Sequence, residues 1–300
     1  MPTGIYVGTD DGLYILGAER RVELPGRRVR ALAAGHEGLC AVVGDWEIFT
    51  SGATGIWRHV ARLREARVTC VHPGPDGILV GTAGARLHRV EDRVVHALEG
   101  FDAVDGRAKW HTPSGEPPSV RSIDVDEDGT IYASVYVGGI PRSTDGGLTW
   151  QPTVDSDEQV FQVLAVPGNG PLLAATARGL ATSWDRAQSW NHRTLGLAGT
   201  YCRAVAVCGD TVLLTASPTA DGTSPALYRG GLEGVRFDRC DKGLPETLSG
   251  TIDTFCLSAA GSTAAFGTSE GAVYVTQDAG RSWELLADDL PPILCVLVRE

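Results

Sequence analysis

One short phrase recurs along this chain: an apolar run of about five residues that closes on Gly-Thr, Ala-Thr or a comparable small pair. It reads IYVGT at 5–9, CAVVG at 40–44, ILVGT at 78–82, IYASV at 131–135, LLAAT at 172–176, VLLTA at 212–216 and AAFGT at 264–268. Successive copies begin 35, 38, 53, 41, 40 and 52 residues apart. A repeat of this length cannot bury its apolar face alone, so neighbouring copies must stack. About 40 residues is the size of one four-stranded propeller blade. Between the copies lie short β-branched runs and turns drawn from 38 glycines, with almost no helical periodicity.

The two chain ends fit the same scheme. The first copy starts at residue 5 with no strand before it, and PPILCVLVRE at the other end is a lone apolar strand with no unit after it. Residues 293–298 can supply the strand that the first unit lacks, closing a ring and removing its open edges. The expected fold is therefore all-β: a single domain over 1–300, a seven-bladed β-propeller of four-stranded blades. The two long steps require insertions, at about 102–119 and 217–226, on one face.

Composition narrows the function classes. With 43% hydrophobic and 21% charged residues the chain can bury a sizeable core. Its net charge of −11 argues against a general nucleic-acid or anionic-membrane binder, because phosphate attraction needs a basic surface. MPTGIYVGTDDG lacks a basic segment followed by an apolar run, and no stretch approaches the ~18 apolar residues of a membrane span. Seven cysteines sit in apolar runs such as VTCVHP, AVCGD and ILCVLV, without CxxC pairing. Reduced, buried thiols in a cytoplasmic protein are expected. His36, His59, His72, His88, His96 and His192 scatter without ligand spacing, so no metal and no cofactor is expected.

Tryptophan marks a second repeat. STDGGLTW (143–150) and TQDAGRSW (276–283) share one pattern; SWDRAQSW (183–190) carries Ala187 where the others have glycine, and TSGATGIW (50–57) keeps only Thr50 and Trp57. The tryptophans stand 93, 40 and 93 residues apart, in register with the blades. An aspartate and two hydroxyls can hydrogen-bond the backbone of a tight turn, glycine can take positive φ, and tryptophan can pin the hairpin. Asp145 and Asp278 are therefore read as turn-formers rather than as catalytic acids or metal ligands. DVDEDG (124–129) begins like a calcium loop, but Val135 stands where the loop needs glutamate, and a turn between a blade's first two strands is expected.

The tryptophan pattern resembles the Asp-box of BNR-repeat, sialidase-like propellers, Ser/Thr-x-Asp-x-Gly-x-Thr/Ser-Trp. The whole chain is similar to bacterial "exo-alpha-sialidase" or BNR-like repeat proteins, notably in GGIPRSTDGG and YCRAVAV. The resemblance implies that the box joins a blade's third and fourth strands, on the rim opposite the ligand face. It does not imply sialidase activity. True sialidases have six blades, an arginine triad, a tyrosine nucleophile with a glutamate partner, an acid/base aspartate and an opening Phe/Tyr-Arg-Ile-Pro segment. Here there is no such segment, only GIPRS at 139–143 beside a box.

A propeller ligand would meet the starting ends of the first strands. Aligned, these read VRAL (29–32), VTCV (68–71), VRSI (120–123), FQVL (161–164), CRAV (202–205), TFCL (254–257) and ILCV (293–296). The second column is Arg30, Thr69, Arg121, Gln162, Arg203, Phe255 and Leu294. Arginines recur in alternate blades of an acidic protein, and a guanidinium fork suits carboxylate or phosphate. They can equally be neutralised by carboxylates such as Asp253 or Glu300. The insertion carries Trp110 and His111 towards the same opening, where Tyr136, Tyr201 and Asp253 would also lie. His111, Tyr136, Tyr201 and Asp253 are the candidate catalytic groups, and Arg30, Arg121, Arg203, Trp110, Gln162 and Thr69 the candidate ligand-binding groups.

Three functions are compatible with this cup: binding of a small anionic or glycan-like ligand, with hydrolase or lyase chemistry as an extension; a non-catalytic platform for a protein partner on the channel face; and a metal-dependent enzyme using His111 with Tyr136, Tyr201 or Cys202.

Overall fold

The structure, a computed structural model, describes residues 4–35, 38–52, 55–155 and 157–299. It is a seven-bladed β-propeller: the strands form seven four-stranded antiparallel sheets, here numbered as blades in chain order. The first strands of blades 2 to 7 are Val29–Ala34, Val68–Gly74, Ser119–Val125, Val160–Ala165, Tyr201–Cys208 and Leu257–Ala260. Blade 1 takes its first strand from the C-terminus, Ile293–Arg299. The second strands are Gly4–Thr9, Leu39–Val43, Gly77–Thr82, Ile131–Tyr136, Leu172–Thr176, Thr211–Ser217 and Thr263–Gly267, so all seven copies of the repeated phrase occupy one position in the fold. No helix among the described residues is long and apolar enough to cross a membrane.

Ile293–Arg299 pairs antiparallel with Gly4–Thr9, from Gly4 opposite Arg299 to Thr9 opposite Ile293. Blade 7 departs from the alignment above. Its first strand begins at Leu257 rather than Thr254, because Phe255 has φ 67° and the Cys256 N–H bonds back to the Asp253 carbonyl. A residue in the left-handed region cannot extend a strand, so those three positions form a turn.

The chain divides into two compact units. One, residues 1–30, 175–181 and 192–300, holds blades 1, 6 and 7; the other, residues 31–174 and 182–191, holds blades 3 and 4 and most of blades 2 and 5. In the first unit Ile5, Val7, Phe266, Val273, Trp283, Ile293 and Val296 belong to one buried cluster. In the second, Cys40, Val42, Ile48, Val68, Val71 and Val80 form another. Within each unit first strands lie side by side and are stitched by side chains: Thr69 Oγ1 donates to the Val120 carbonyl at 2.5 Å, and Ser122 Oγ accepts from the Val163 N–H at 2.8 Å.

Two glycines of the repeated phrase owe their identity to close packing. A Cβ on Gly81 would stand 2.5 Å from Cys70 Sγ, and one on Gly8 would stand 2.5 Å from Cys295 Sγ. Each thiol lies against a neighbouring first strand, Cys70 Sγ 3.9 Å from the Val120 carbonyl and Cys295 Sγ 3.8 Å from that of Val29. All seven cysteines are buried and none is in a disulfide. Burial pushes the Cys40 and Cys70 thiols up to about 12, so neither is a thiolate at neutral pH.

The tryptophan-ended segments are the connections between third and fourth strands. In blade 4, Ser143 Oγ donates to Asp145 Oδ1 (2.8 Å) and accepts from the Gly147 N–H (2.8 Å). Thr149 gives Asp145 both its N–H (2.9 Å) and its hydroxyl (2.6 Å), and Trp150 Nε1 donates to the Gly147 carbonyl at 3.0 Å. Blade 5 repeats the carboxylate and hydroxyl bonds around Asp185 with Ser183 and Ser189, and blade 7 around Asp278 with Thr276 and Ser282, without the tryptophan bond. In all three the two residues after the aspartate have positive φ: Gly146 and Gly147, Arg186 and Ala187, Ala279 and Gly280.

That pair of left-handed residues makes blade 5 the strained copy, since an L-residue there carries a cost of ~1–2 kcal/mol that glycine escapes. Offset against the backbone entropy of glycine, Ala187→Gly is expected to raise unfolding stability by roughly 0.5–1 kcal/mol. The reverse change in blade 7, Gly280→Ala, places a Cβ 2.6 Å from Leu213 Cδ2 and is expected to destabilise. Urea unfolding of the two variants checks both signs.

The boxed carboxylates also set an acid limit. Hydrogen bonds from Thr149 and Ser143 hold Asp145 down at about 2, those from Ser189 and Ser183 do the same for Asp185, and Ser282 holds Asp278 well below the usual carboxylate range. A depressed folded value contributes stability above the unfolded value of 3.8, and that contribution disappears as pH falls through the folded one. The urea midpoint should therefore drop between about pH 4 and pH 2. The triple variant Asp145→Asn, Asp185→Asn, Asp278→Asn should start lower and lose less over the same interval.

Candidate functional site

The sequence-derived residues fall into separate groups, the first of them in blade 6. Arg203 is half-buried on its first strand and pairs with Asp253, Nη1 to Oδ1 at 3.2 Å. Its Nη2 donates to the Ala220 carbonyl at 2.5 Å, and a Cβ on Gly222 would stand 2.8 Å from its Nε. Arg203 thus lies under the 217–226 insertion and fixes that loop, while Asp253 also accepts its neighbour's N–H, Thr254 N to Oδ1 at 2.8 Å. Tyr201 starts the same strand half-buried, and Cys202 is fully buried, with its thiol raised far from any thiolate. A buried neutral thiol is a poor metal ligand or nucleophile.

The second group lies on blades 3 to 5. The Arg121 guanidinium sits over the Phe161 ring, 5.8 Å from its centroid, and the Tyr136 ring packs on the same Phe161 at 5.3 Å. Gln162 follows Phe161 in sequence and is buried, and Thr69 is tied to the Val120 carbonyl just before Arg121. The adjoining 102–119 insertion contains two short 3-10 turns, Glu99–Ala103 and Arg107–Lys109, the first beginning just upstream of it. Trp110 is buried against Phe101 at 5.4 Å and carries the Arg107 guanidinium at 4.8 Å, so it serves as the insertion's core. His111 bonds back to the turn after Tyr136 through its N–H (to the Val137 carbonyl, 3.2 Å), and its exposed ring places Nδ1 3.0 Å from the Lys109 carbonyl.

Arg30 is half-buried on its first strand, close enough to Cys295 for its charge to act on that thiol. Glu300, the other carboxylate considered as an arginine partner, and His36 lie outside the described residues, as do Ala53 and Thr54 of the fourth tryptophan segment. Among the described residues no three His, Cys, Asp or Glu side chains are grouped as a metal site.

Sequence reasoning missed Phe161, the ring on which Arg121 and Tyr136 meet. The signal was present, since Phe161 is the lone aromatic in the first column of the aligned strand starts. It also missed a cavity of about 190 Å3 at the opposite end of blades 4 and 5, lined by Asp126, Glu127, Asp128, Asn169, Trp184 and Arg186 among others. DVDEDG supplies part of that lining. Asp126 Oδ1 caps the turn by accepting from the N–H groups of Asp128 (3.1 Å) and Thr130 (2.9 Å), and Oδ2 accepts from Tyr132 OH at 3.1 Å.

No protein-family model matches the chain, and no curated protein does. Solved structures do match. The computationally designed Ika8 protein is similar over 95% of this chain and 83% of its own, with a TM-score of 0.59 at 15% identity. YCF48 bound to a D1 peptide is similar over 92% and 87%, with a TM-score of 0.58 at 14% identity. An ancestral GH74 enzyme is similar over 99% of this chain but only 40% of its own, with a TM-score of 0.62 at 14% identity. What they share with this chain is the fold. At such identity neither a site nor an activity travels with it.

Proposed function

We propose that this protein is a non-catalytic binding propeller that captures an anionic group, such as the carboxylate of an acidic peptide or a small organic acid, at the Arg121–Phe161–Tyr136 patch. The observation that carries this reading is a guanidinium placed over an aromatic ring. Arg121 lies over Phe161, whose ring also packs on Tyr136, so a cation and two aromatic rings meet at one place, and a guanidinium is the side chain best matched to a carboxylate. Asp253 is engaged by Arg203, Cys202 is buried and neutral, and Trp110 is packed inside its loop, so these three serve the scaffold. The peptide held by YCF48 is in keeping with a propeller used for capture.

Isothermal titration with succinate and with a blocked glutamate peptide tests the proposal. Loss of a charge-assisted hydrogen bond of ~1.5–3 kcal/mol predicts at least a tenfold weaker affinity in Arg121→Ala. Arg203→Ala should instead lower the melting temperature through the freed Asp253 and the loosened 217–226 loop, with affinity retained. Binding unchanged in Arg121→Ala overturns the reading. Turnover of an aryl glycoside that depends on His111, Tyr136, Tyr201 or Asp253 would replace it with the hydrolase alternative.

A further inference from the structure

The cavity at the far end of blades 4 and 5 belongs to none of the groups above. It opens between the first-to-second connections of the two blades and the third-to-fourth connection of blade 5, the end of the sheets opposite to Arg121. We propose that it is a site for the side chain of a lysine from a partner protein.

Size, wall and charge each point there. About 190 Å3 has room for roughly six waters at ~30 Å3 each, well below the ~300–1,000 Å3 of a drug-sized ligand site. One long side chain fits. Among the lining residues Ala165, Val166 and Leu172 are aliphatic, and Trp184 adds an aromatic side chain. At 54% exposed, Trp184 is a large aromatic surface with no core to fill, at the box position where the other copies carry Thr144 and Gln277. An alkyl stem can pack on those aliphatic groups, with the cation beside the indole.

The rim is negative. The lining carries three carboxylates, Asp126, Glu127 and Asp128, and one cation, Arg186, which is ion-paired to Asp128; a second cation, Arg142, stands next to the lining, donating to the Arg186 carbonyl and acting on Tyr132. Asp126 is saturated by its own turn. Glu127 uses Oε1 to accept from the Gly168 N–H at 3.1 Å, which orients the carboxylate and leaves Oε2 without a protein donor among the described residues. A second guanidinium would compete with Arg186 for planar contacts, whereas a compact ammonium needs only one oriented oxygen and a π face. The overall charge of −11 favours approach of a basic partner in the same sense.

The test uses the whole chain and follows the Trp184 indole N–H resonance, assigned by its absence in Trp184→Leu. Nα-acetyl-lysine N-methylamide should shift that resonance saturably with a millimolar Kd, weaken at least fivefold in Glu127→Gln, and weaken again in 0.5 M salt. Glutamine keeps the acceptor for Gly168, so the fold is preserved while the charge is removed. The Nε-acetylated form of the same probe and glucose should leave the resonance in place. The proposal falls if the acetylated probe or glucose shifts it as far, if Glu127→Gln binds as well as the parent, or if 50 mM of the lysine probe produces no shift.

Discussion

Deleting residues 293–300 should abolish cooperative folding of the unit that holds blades 1, 6 and 7. The strand removed is blade 1's first strand, and its loss leaves Gly4–Thr9 with an open edge. Ile293, Val296 and Val298 are each at most 4% exposed. Burying three such side chains is worth ~1.5–3 kcal/mol apiece, or roughly 5–9 kcal/mol together, against a typical total of ~5–15 kcal/mol for a whole domain. The strand also carries bonds that no other segment can replace: the Val298 N–H to Ser258 Oγ at 3.0 Å and the Val296 N–H to the Phe255 carbonyl at 2.8 Å. Circular dichroism melting and amide exchange over residues 4–16 would read the effect. A truncated chain that melted within a few degrees of the parent would show that the strand contributes little.

Trp283→Ala carries the second-largest expected effect, ~3–5 kcal/mol, the usual cost of removing a buried indole. Trp283 is 2% exposed, packs edge-on against Phe266 at 5.0 Å and donates its backbone N–H to the Lys242 carbonyl at 3.0 Å. Gly243 follows so closely that a Cβ there would stand 1.8 Å from the Trp283 carbonyl oxygen. Trp190, the same position in blade 5, is only half-buried, so Trp190→Ala should cost distinctly less. Guanidinium unfolding of the two variants gives the comparison directly, and equal losses would contradict the burial argument.

Most of the architecture was legible because a propeller repeats itself. A blade's second strand is buried on both faces and leans on neighbours of the same kind, so its sequence returns as a recognisable apolar phrase about every 40 residues. The tryptophan segments were legible for a local reason: the hydrogen bonds that Asp145, Asp185 and Asp278 make all lie within the motif. Alignment failed at Phe255, where a single left-handed residue moved the strand start by three positions without changing the apolar pattern.

Side-chain partnership was a different matter. Arg121 and Arg203 stand in one column of the aligned strands, yet one lies over the Phe161 ring and the other is tied down by Asp253 and the Ala220 carbonyl. Those partners come from residues 40 to 50 positions away in the chain or from an insertion, and no spacing encodes them. The same holds for the far cavity: Trp184 is an unremarkable variant of its box until Glu127 and Asp128 from blade 4 are placed beside it. The sequence by itself determined the seven blades, the turns and the use of the C-terminal strand in blade 1, because strand period and turn chemistry act over a few residues and the repeat amplifies them. Only the tertiary structure decided which partners each arginine meets, Phe161 for Arg121 and Asp253 with the Ala220 carbonyl for Arg203, because that choice depends on charges and rings brought together across blades.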